Sequence, residues 1–395
     1  MTCWLSWAVS QAKVRLSSLR RVIILPLLIN ILLVACQPAA DPIDQPDVQT
    51  QAFETALAGL QPSTTPSPIG SPVPTPTVPR TPPALPGIFL SASLDPLDIP
   101  RSYIPDTCQV LRDKWSSSKA APGTTVMVVM FHSITKDATT SGIQISAQDQ
   151  RKLMNDLFES GFQAINMQQM ADFMYTNTWI PPRSVLLIVD DRHHAEYFND
   201  HFKPFYDQWG WPVVNAYIGL DERPDLWAEN AALAAEGWVD YQAHGYIHNI
   251  NIIEDSPDEF IVSEMQGAIT SLQKYYNKTP IAYIWPGGGF TRRAVEIGRE
   301  LGYKLGFTVN GRGPVMYNWV PQADAFNNSN PYAIPEIPAG DPLMTLPRYY
   351  DINARAQIDT VRSLGEQAAA YAEQNKAVEL EYYDIVCAPA SGPVP

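Results

Sequence analysis

The sequence predicts an α/β fold, a distorted (β/α) barrel with seven or eight parallel strands. Three observations point to it. Short apolar runs alternate with longer helical patterns between about Thr124 and Gln374. The run Leu186–Val189 is apolar at every position, as in a strand covered on both faces. Acids and histidines collect where such runs end, at the strand C-termini where α/β folds keep their sites. A doubly wound open sheet is the competing arrangement, and no internal repeat of solenoid length is visible.

Taken in order, the chain begins with Lys13, Arg15, Arg20 and Arg21 ahead of the run VIILPLLINILLVAC, which Pro26 and Asn30 interrupt and which is too short for a membrane span. Residues 1–35 read as a secretory signal. The end of that signal, Leu33-Val34-Ala35-Cys36, resembles the lipobox of bacterial lipoproteins, in which the cysteine is diacylated and becomes the new N-terminus. The alternative is an ordinary signal with a chance cysteine, and Arg20-Arg21 alone does not make a twin-arginine signal. Residues 36–105 are expected to hold lipidated Cys36 and a disordered Pro/Thr/Ser-rich linker. As far as Pro86, Phe53 is its only aromatic and Arg80 its only base, too little apolar surface to offset ordering entropy. FETALAGL within it is at most a transient helix. The folded domain is expected over 106–390, and the protein as a whole to be an extracytoplasmic, membrane-anchored lipoprotein.

Within the domain, TVMVVMFH reads as a strand, SAQDQRKLMNDLFESG as a helix capped by Ser146 and stopped at Gly161, and SVLLIVDD as a second strand. PVVNAYIG, WVDYQAHG, IAYIWPGG, KLGFTVN and LMTLPRY follow as strands. Helices are expected over 195–209, 225–236, 258–277 and 291–302. On this reading five of the six histidines and both members of the Asp190-Asp191 pair fall at or just beyond strand C-termini, while His201 sits inside a helix pattern.

The net charge of −14 argues against nucleic acid and against an electrostatic hold on anionic lipid, leaving a lipid on Cys36 to tie the protein to the membrane. Export would permit a disulfide between the two cysteines of the domain, Cys108 and Cys387; the alternative is two buried thiols.

HGYIH, His244 to His248, places two imidazoles four residues apart in a turn after a strand. With one carboxylate they make a two-His, one-Asp set able to hold a divalent ion and leave positions open for water and substrate. A neighbouring carboxylate is then free to act as base. Such an H-x-x-x-H pair alone is weak, and gains force from Asp190-Asp191 at another strand end.

From about Thr124 to Tyr350 these motifs resemble the polysaccharide deacetylases of carbohydrate esterase family 4, which have the NodB-like fold. IVDD resembles that family's first motif, which implies Asp190 as general base and Asp191 as metal ligand. HGYIH resembles the second, implying His244 and His248 as the remaining ligands. WPGGG resembles the third, implying that the N–H of Gly287 helps hold the oxyanion. Arg192 stands where the first motif has glycine, with His193 and His194 after it, and Ile284 stands where the third has its arginine. Arg348 in TLPRYY is the candidate replacement. No histidine follows His248, so the usual late acid is absent. MFHSI resembles a stretch of the subgroup acting on biofilm poly-N-acetylglucosamine, implying His132 as acid. The resemblance implies a metal-dependent N-deacetylase, with zinc first and cobalt, nickel or manganese as alternatives. The implied substrate is poly-N-acetylglucosamine, peptidoglycan or a chitin-like polymer. The rivals are a sugar-binding relic without activity and an amidase acting on a small N-acyl compound; adjacent Asp190 and Asp191 do not suit a glycosidase. His132 as a core histidine, His193 and His194 as helix-start residues, and Trp285, Tyr246 and Tyr283 as either a sugar-stacking wall or core packing complete the alternatives.

Overall fold

The computed structural model describes residues 80–220 and 222–395. The expected signal over 1–35, Cys36 and the linker as far as residue 79 lie outside the described residues.

Seven parallel strands run in the spatial order β6-β5-β4-β3-β2-β1-β7: β1 Thr125–Phe131, β2 Arg183–Asp190, β3 Val213–Tyr217, β4 Val239–Ala243, β5 Ala282–Ile284, β6 Leu305–Phe307 and β7 Tyr349–Tyr350. The two-residue strand Gln163–Ala164 adds to β2 off this path. The longest pairing, β1 with β2, runs from Thr125 opposite Arg183 to Phe131 opposite Val189. The two ends of the sheet meet through the residues just before β7. Leu346 donates its N–H to the Gly306 carbonyl (2.8 Å), Thr308 to Leu346 (2.9 Å) and Arg348 to Asn310 (3.0 Å). This is the distorted barrel, and the closure excludes the open doubly wound sheet.

The continuous apolar strands are explained by two separate cores. Val126, Val128, Leu186, Ile188, Val214, Ala216, Ala282, Ile284, Leu305 and Phe307 share one cluster inside the barrel. The intervening Met127, Val129, Phe131, Val185, Leu187, Val189, Tyr241 and Ala243 pack outward against the helices. A strand with both faces covered has no polar face to show.

The helices around the barrel are α1 Ala147–Glu159, α2 Ala195–His201, α3 Lys203–Trp209, α4 Pro224–Ala235, α5 Asp258–Tyr276, α6 Arg292–Glu300 and α7 Asp351–Tyr382. Ser146 caps α1 through the Asp149 N–H at 3.0 Å. The single helix expected over 195–209 is broken at Phe202, because Pro204 in the first turn of α3 has no N–H with which to continue α2. The strand expected at LMTLPRY is instead a 3₁₀ turn, Pro342–Met344, followed by the short β7, since Pro342 and Pro347 interrupt any longer ladder. The sequence reading also missed α7, whose buried Ala354, Ile358, Val361, Leu364, Ala368 and Ala372 recur at helical spacing.

The linker expectation needs correction over its described part. Residues 80–105 are docked, not free. Trp319 donates its indole N–H to the Phe89 carbonyl (2.9 Å), Tyr371 donates its hydroxyl to Gly87 (2.8 Å), and Ile99–Arg101 pairs antiparallel with Val320–Gln322. Beyond Pro86 the stretch carries Ile88, Phe89, Leu90 and Leu94, apolar enough to dock, which an average over the proline-rich run conceals. Near the ends of this domain Cys108 and Cys387 are joined in a disulfide, with Cα atoms 5.4 Å apart.

Candidate active site

Strand alternation delivers the site. Alternate side chains point into the barrel, and continuing the inward set by one step past Ile188 reaches Asp190; past Gln242 it reaches His244, and past Leu346, Arg348. His132, one residue beyond β1, completes the group at the C-terminal mouth.

Asp190 is 1% exposed and Arg348 fully buried. The Arg348 guanidinium donates through Nη1 to Asp190 Oδ1 and through Nε to the Thr308 carbonyl, each at 2.6 Å. Burial pushes the Asp190 carboxyl up, but the Arg348 charge overcomes this and holds it well below the usual carboxylate range. His132 Nε2 lies 3.6 Å from Asp190 Oδ2, and its ring stacks on Tyr350 with centroids 6.1 Å apart.

Asp191 is the next residue, and alternation alone would send it outward. Its backbone instead turns to φ +75°, a left-handed conformation unusual for a side chain with a Cβ. The turn sets Asp191 Oδ1 3.3 Å from His248 Nε2 and 3.8 Å from His244 Nε2. His248 is likewise left-handed at φ +71°. Two such residues in one cluster mark a strained turn of the kind found at ligand sites. His244 Nδ1 lies 2.8 Å from the Ile284 carbonyl, an acceptor, which fixes the proton there and leaves Nε2 as a free lone pair. Burial pushes the His244 imidazole down, keeping it neutral as a ligand must be.

These three ligand atoms lie within 4.8 Å of one another. Nitrogen and oxygen ligands about 2.1 Å from a tetrahedral ion stand roughly 3.4 Å apart, so the set fits a divalent ion, and its His₂Asp chemistry suits zinc.

Sequence reasoning missed the residue that shapes the H-x-x-x-H turn. Glu264 of α5, 1% exposed, accepts the backbone N–H groups of Tyr246 (3.1 Å), Ile247 (2.9 Å) and His248 (3.2 Å). Gly245, at φ +72°, passes so close that a Cβ there would lie 2.7 Å from the Glu264 carboxylate. The signal was available: Ile261, Glu264, Met265, Ala268 and Leu272 form the buried stripe of α5, and an acid on such a stripe needs donors.

Gly287 sits in the turn after β5, exposed, at φ +57°, and a Cβ there would overlap the Asn251 amide. The other positions divide as follows. Ile284 is core, and Arg348 reaches the base from a different strand. Arg192 Nη1 donates to the Leu220 carbonyl at 3.1 Å. His193 contacts the Asp190 carbonyl and stacks on Tyr197, His194 pairs with Glu229, and neither joins the ligand set. His201 lies on α2, where its ring meets the edge of Tyr197. Trp285 and Tyr283 are fully buried and cannot form a sugar-stacking wall; the Trp285 indole donates to the Met344 carbonyl.

Residues 180–306, which hold Asp190, Asp191, His244, His248 and Gly287, match the family model for polysaccharide deacetylase. Over this stretch the chain is similar to the polysaccharide deacetylase family. No curated protein sequence matches the chain significantly. Among solved structures, the deacetylase PplD of Streptococcus pyogenes, in complex with acetate, is 19% identical, with 58% of this chain and 93% of that one covered at a TM-score of 0.46. IcaB from Ammonifex degensii is 16% identical, covering 62% and 98% at 0.46. The deacetylase domain of BpsB from Bordetella bronchiseptica is 16% identical, covering 58% and 96% at 0.43. The likeness to that family rests on the sequence match over this stretch. His132 and Arg348 lie outside the matched stretch on either side.

Proposed function

We propose that the protein is a metal-dependent N-deacetylase of an N-acetylglucosamine-containing polysaccharide, working at the cell envelope. The observation that carries the reading is the pairing of an Asp191, His244 and His248 cluster with an adjacent buried carboxylate, Asp190, locked by Arg348. A divalent ion held by the cluster would acidify water and polarise the acetamide carbonyl.

The chain's own groups supply the rest. Asp190, ionised at any working pH, takes a proton from the attacking water; Arg348 fixes which oxygen faces that water. The new C–O bond forms as charge moves to the carbonyl oxygen, where the Gly287 N–H supports it. His132, beside Asp190, gives a proton to the nitrogen as the C–N bond breaks. Acetate and a glucosamine unit result.

The reading is tested by acetate release from a panel of N-acetylglucosamine polymers with Zn²⁺, Co²⁺, Ni²⁺ or Mn²⁺ supplied. Release that disappears with chelator is expected. Glycan binding with no release under any metal would favour the inactive sugar-binding relic, for which Arg192, Ile284 and the missing late histidine are the motivating departures. The envelope location rests on Cys36 and its signal, and Cys36→Ala should release the protein from the membrane fraction or leave it unprocessed.

A further inference from the structure

Asp191 leaves β2 at φ +75°, a backbone conformation that persists in a residue with a Cβ only where its surroundings hold it. A hydrogen bond closes a ring across this residue. His193 Nε2 lies 3.0 Å from the Asp190 carbonyl oxygen. That oxygen can only accept, so Nε2 carries the hydrogen and donates it. His193 is itself fixed at both ends. Its ring stacks on Tyr197, with centroids 4.0 Å apart and planes 19° from parallel. Its carbonyl accepts the side-chain N–H of Asn230 at 3.0 Å. Asn230, fully buried on α4, accepts in turn the hydroxyl of Tyr241 at 2.7 Å, and Tyr241 lies on β4, the strand that leads into His244. Arg192 fastens the other edge of the turn through its bond to the Leu220 carbonyl.

We propose that His193 is a positioning residue of the ion site: by donating its ring N–H to the Asp190 carbonyl it holds Asp191 in the left-handed turn that aims the carboxylate at His244 and His248. The inference rests on the metal cluster of the deacetylase reading and adds to it a residue that touches neither ion nor substrate. The Asp190 carbonyl belongs to the peptide unit that rotates about the Asp191 N–Cα bond. A return of Asp191 to negative φ would swing that carbonyl away from the imidazole and break the bond. The bond therefore favours the one turn in which Asp191 Oδ1 faces both histidines. An ion then meets a site already set, and its apparent affinity rises with the fraction of molecules so set. The same brace reaches β4 through Asn230 and Tyr241, so the strand ends that carry Asp191 and His244 are tied behind the ligands as well as by them.

The test measures zinc affinity, by competition with a chromophoric chelator, in the full chain and its variants. His193→Phe keeps a ring on Tyr197 and removes the donor. His193→Gln restores a donor, since its amide nitrogen stands about as far from Cβ as Nε2 does. His193→Asn is polar but too short to reach the carbonyl, and it takes the place of the Phe variant should that one not fold. Zinc binding should weaken about 10–100-fold in the Phe and Asn variants, the scale seen when a group that orients a metal ligand is lost, and return close to the wild-type value in the Gln variant. Hydrogen exchange of residues 190–194, followed by mass spectrometry without metal, should quicken in the Phe and Asn variants alone. Equal zinc affinity throughout overturns the proposal, and so does an equal loss in all variants, which would make His193 a packing residue. If zinc binding follows the expected ranking but the wild type releases no acetate, the brace stands and the deacetylase reading falls. If the wild type binds no zinc, that reading falls and exchange decides the brace: quickening confined to the Phe and Asn variants upholds it, and unchanged exchange overturns it.

Discussion

Asp190 and Asp191 are adjacent in sequence and opposite in circumstance. One is buried on a guanidinium; the other turns back toward two imidazoles. Their isosteric variants should fail differently. Asp190→Asn should keep bound metal and lose turnover by about 10²-fold or more, the scale of general-base catalysis. Asp191→Asn should lose metal first and recover partly in excess metal. Metal content and acetate release measured side by side check this, and equal metal loss in both would contradict the division of roles. Arg348 adds a pH signature. In the wild type its charge holds Asp190 ionised through the accessible range, so Asp190 contributes no acid limb to kcat/KM. In Arg348→Met the carboxyl stays buried without its cation, and burial then raises its pKa. Below the new pKa the base is protonated, so activity should fall on acidification while the loss near pH 8, roughly, is smaller. An unchanged pH profile would remove Arg348 from the mechanism.

Among the elements, the turn after β4 depends on α5. Glu264 satisfies three N–H groups of that turn, so Glu264→Gln puts an amide NH₂ where an acceptor is needed. The expected cost is about 1–3 kcal/mol of stability and about 10–100-fold in metal affinity, read by denaturant melts and metal titration. Retained affinity would mean that the turn holds its shape unaided. The elements also divide what the sequence discloses from what it withholds. A period of two, carried one step past the apolar residues, suffices to place Asp190, His244 and Arg348 on one inner face. Asp191 escapes that rule because its placement depends on a left-handed backbone, which aspartate adopts more readily than most residues but which nothing in the strand pattern marks at that spot. Glu264 is hidden for another reason: its partners are main-chain groups on another element. The break at Phe202 follows from Pro204 and could have been read; the docking of residues 80–105 depends on surfaces that only the folded barrel provides.

For the molecule as a whole, the Cys108–Cys387 bond joins positions 279 residues apart. Replacing both with serine frees nearly the whole domain in the unfolded state and should cost about 2–5 kcal/mol. The urea midpoint should fall accordingly, and a midpoint equal to the wild type's would leave the bond without a stabilising role. The barrel's closure reaches further. Asp190 and Arg348 are 158 residues apart, and Arg348 arrives on the segment that seals the sheet. A chain cut before Leu346 would keep the whole family-matched stretch but lose the closing segment, the buried face of α7 and Arg348, leaving Asp190 with no counter-charge. Completion of the polypeptide thus decides whether the proposed base has its partner: the family-matched stretch carries the carboxylate of Asp190 and lacks the guanidinium of Arg348.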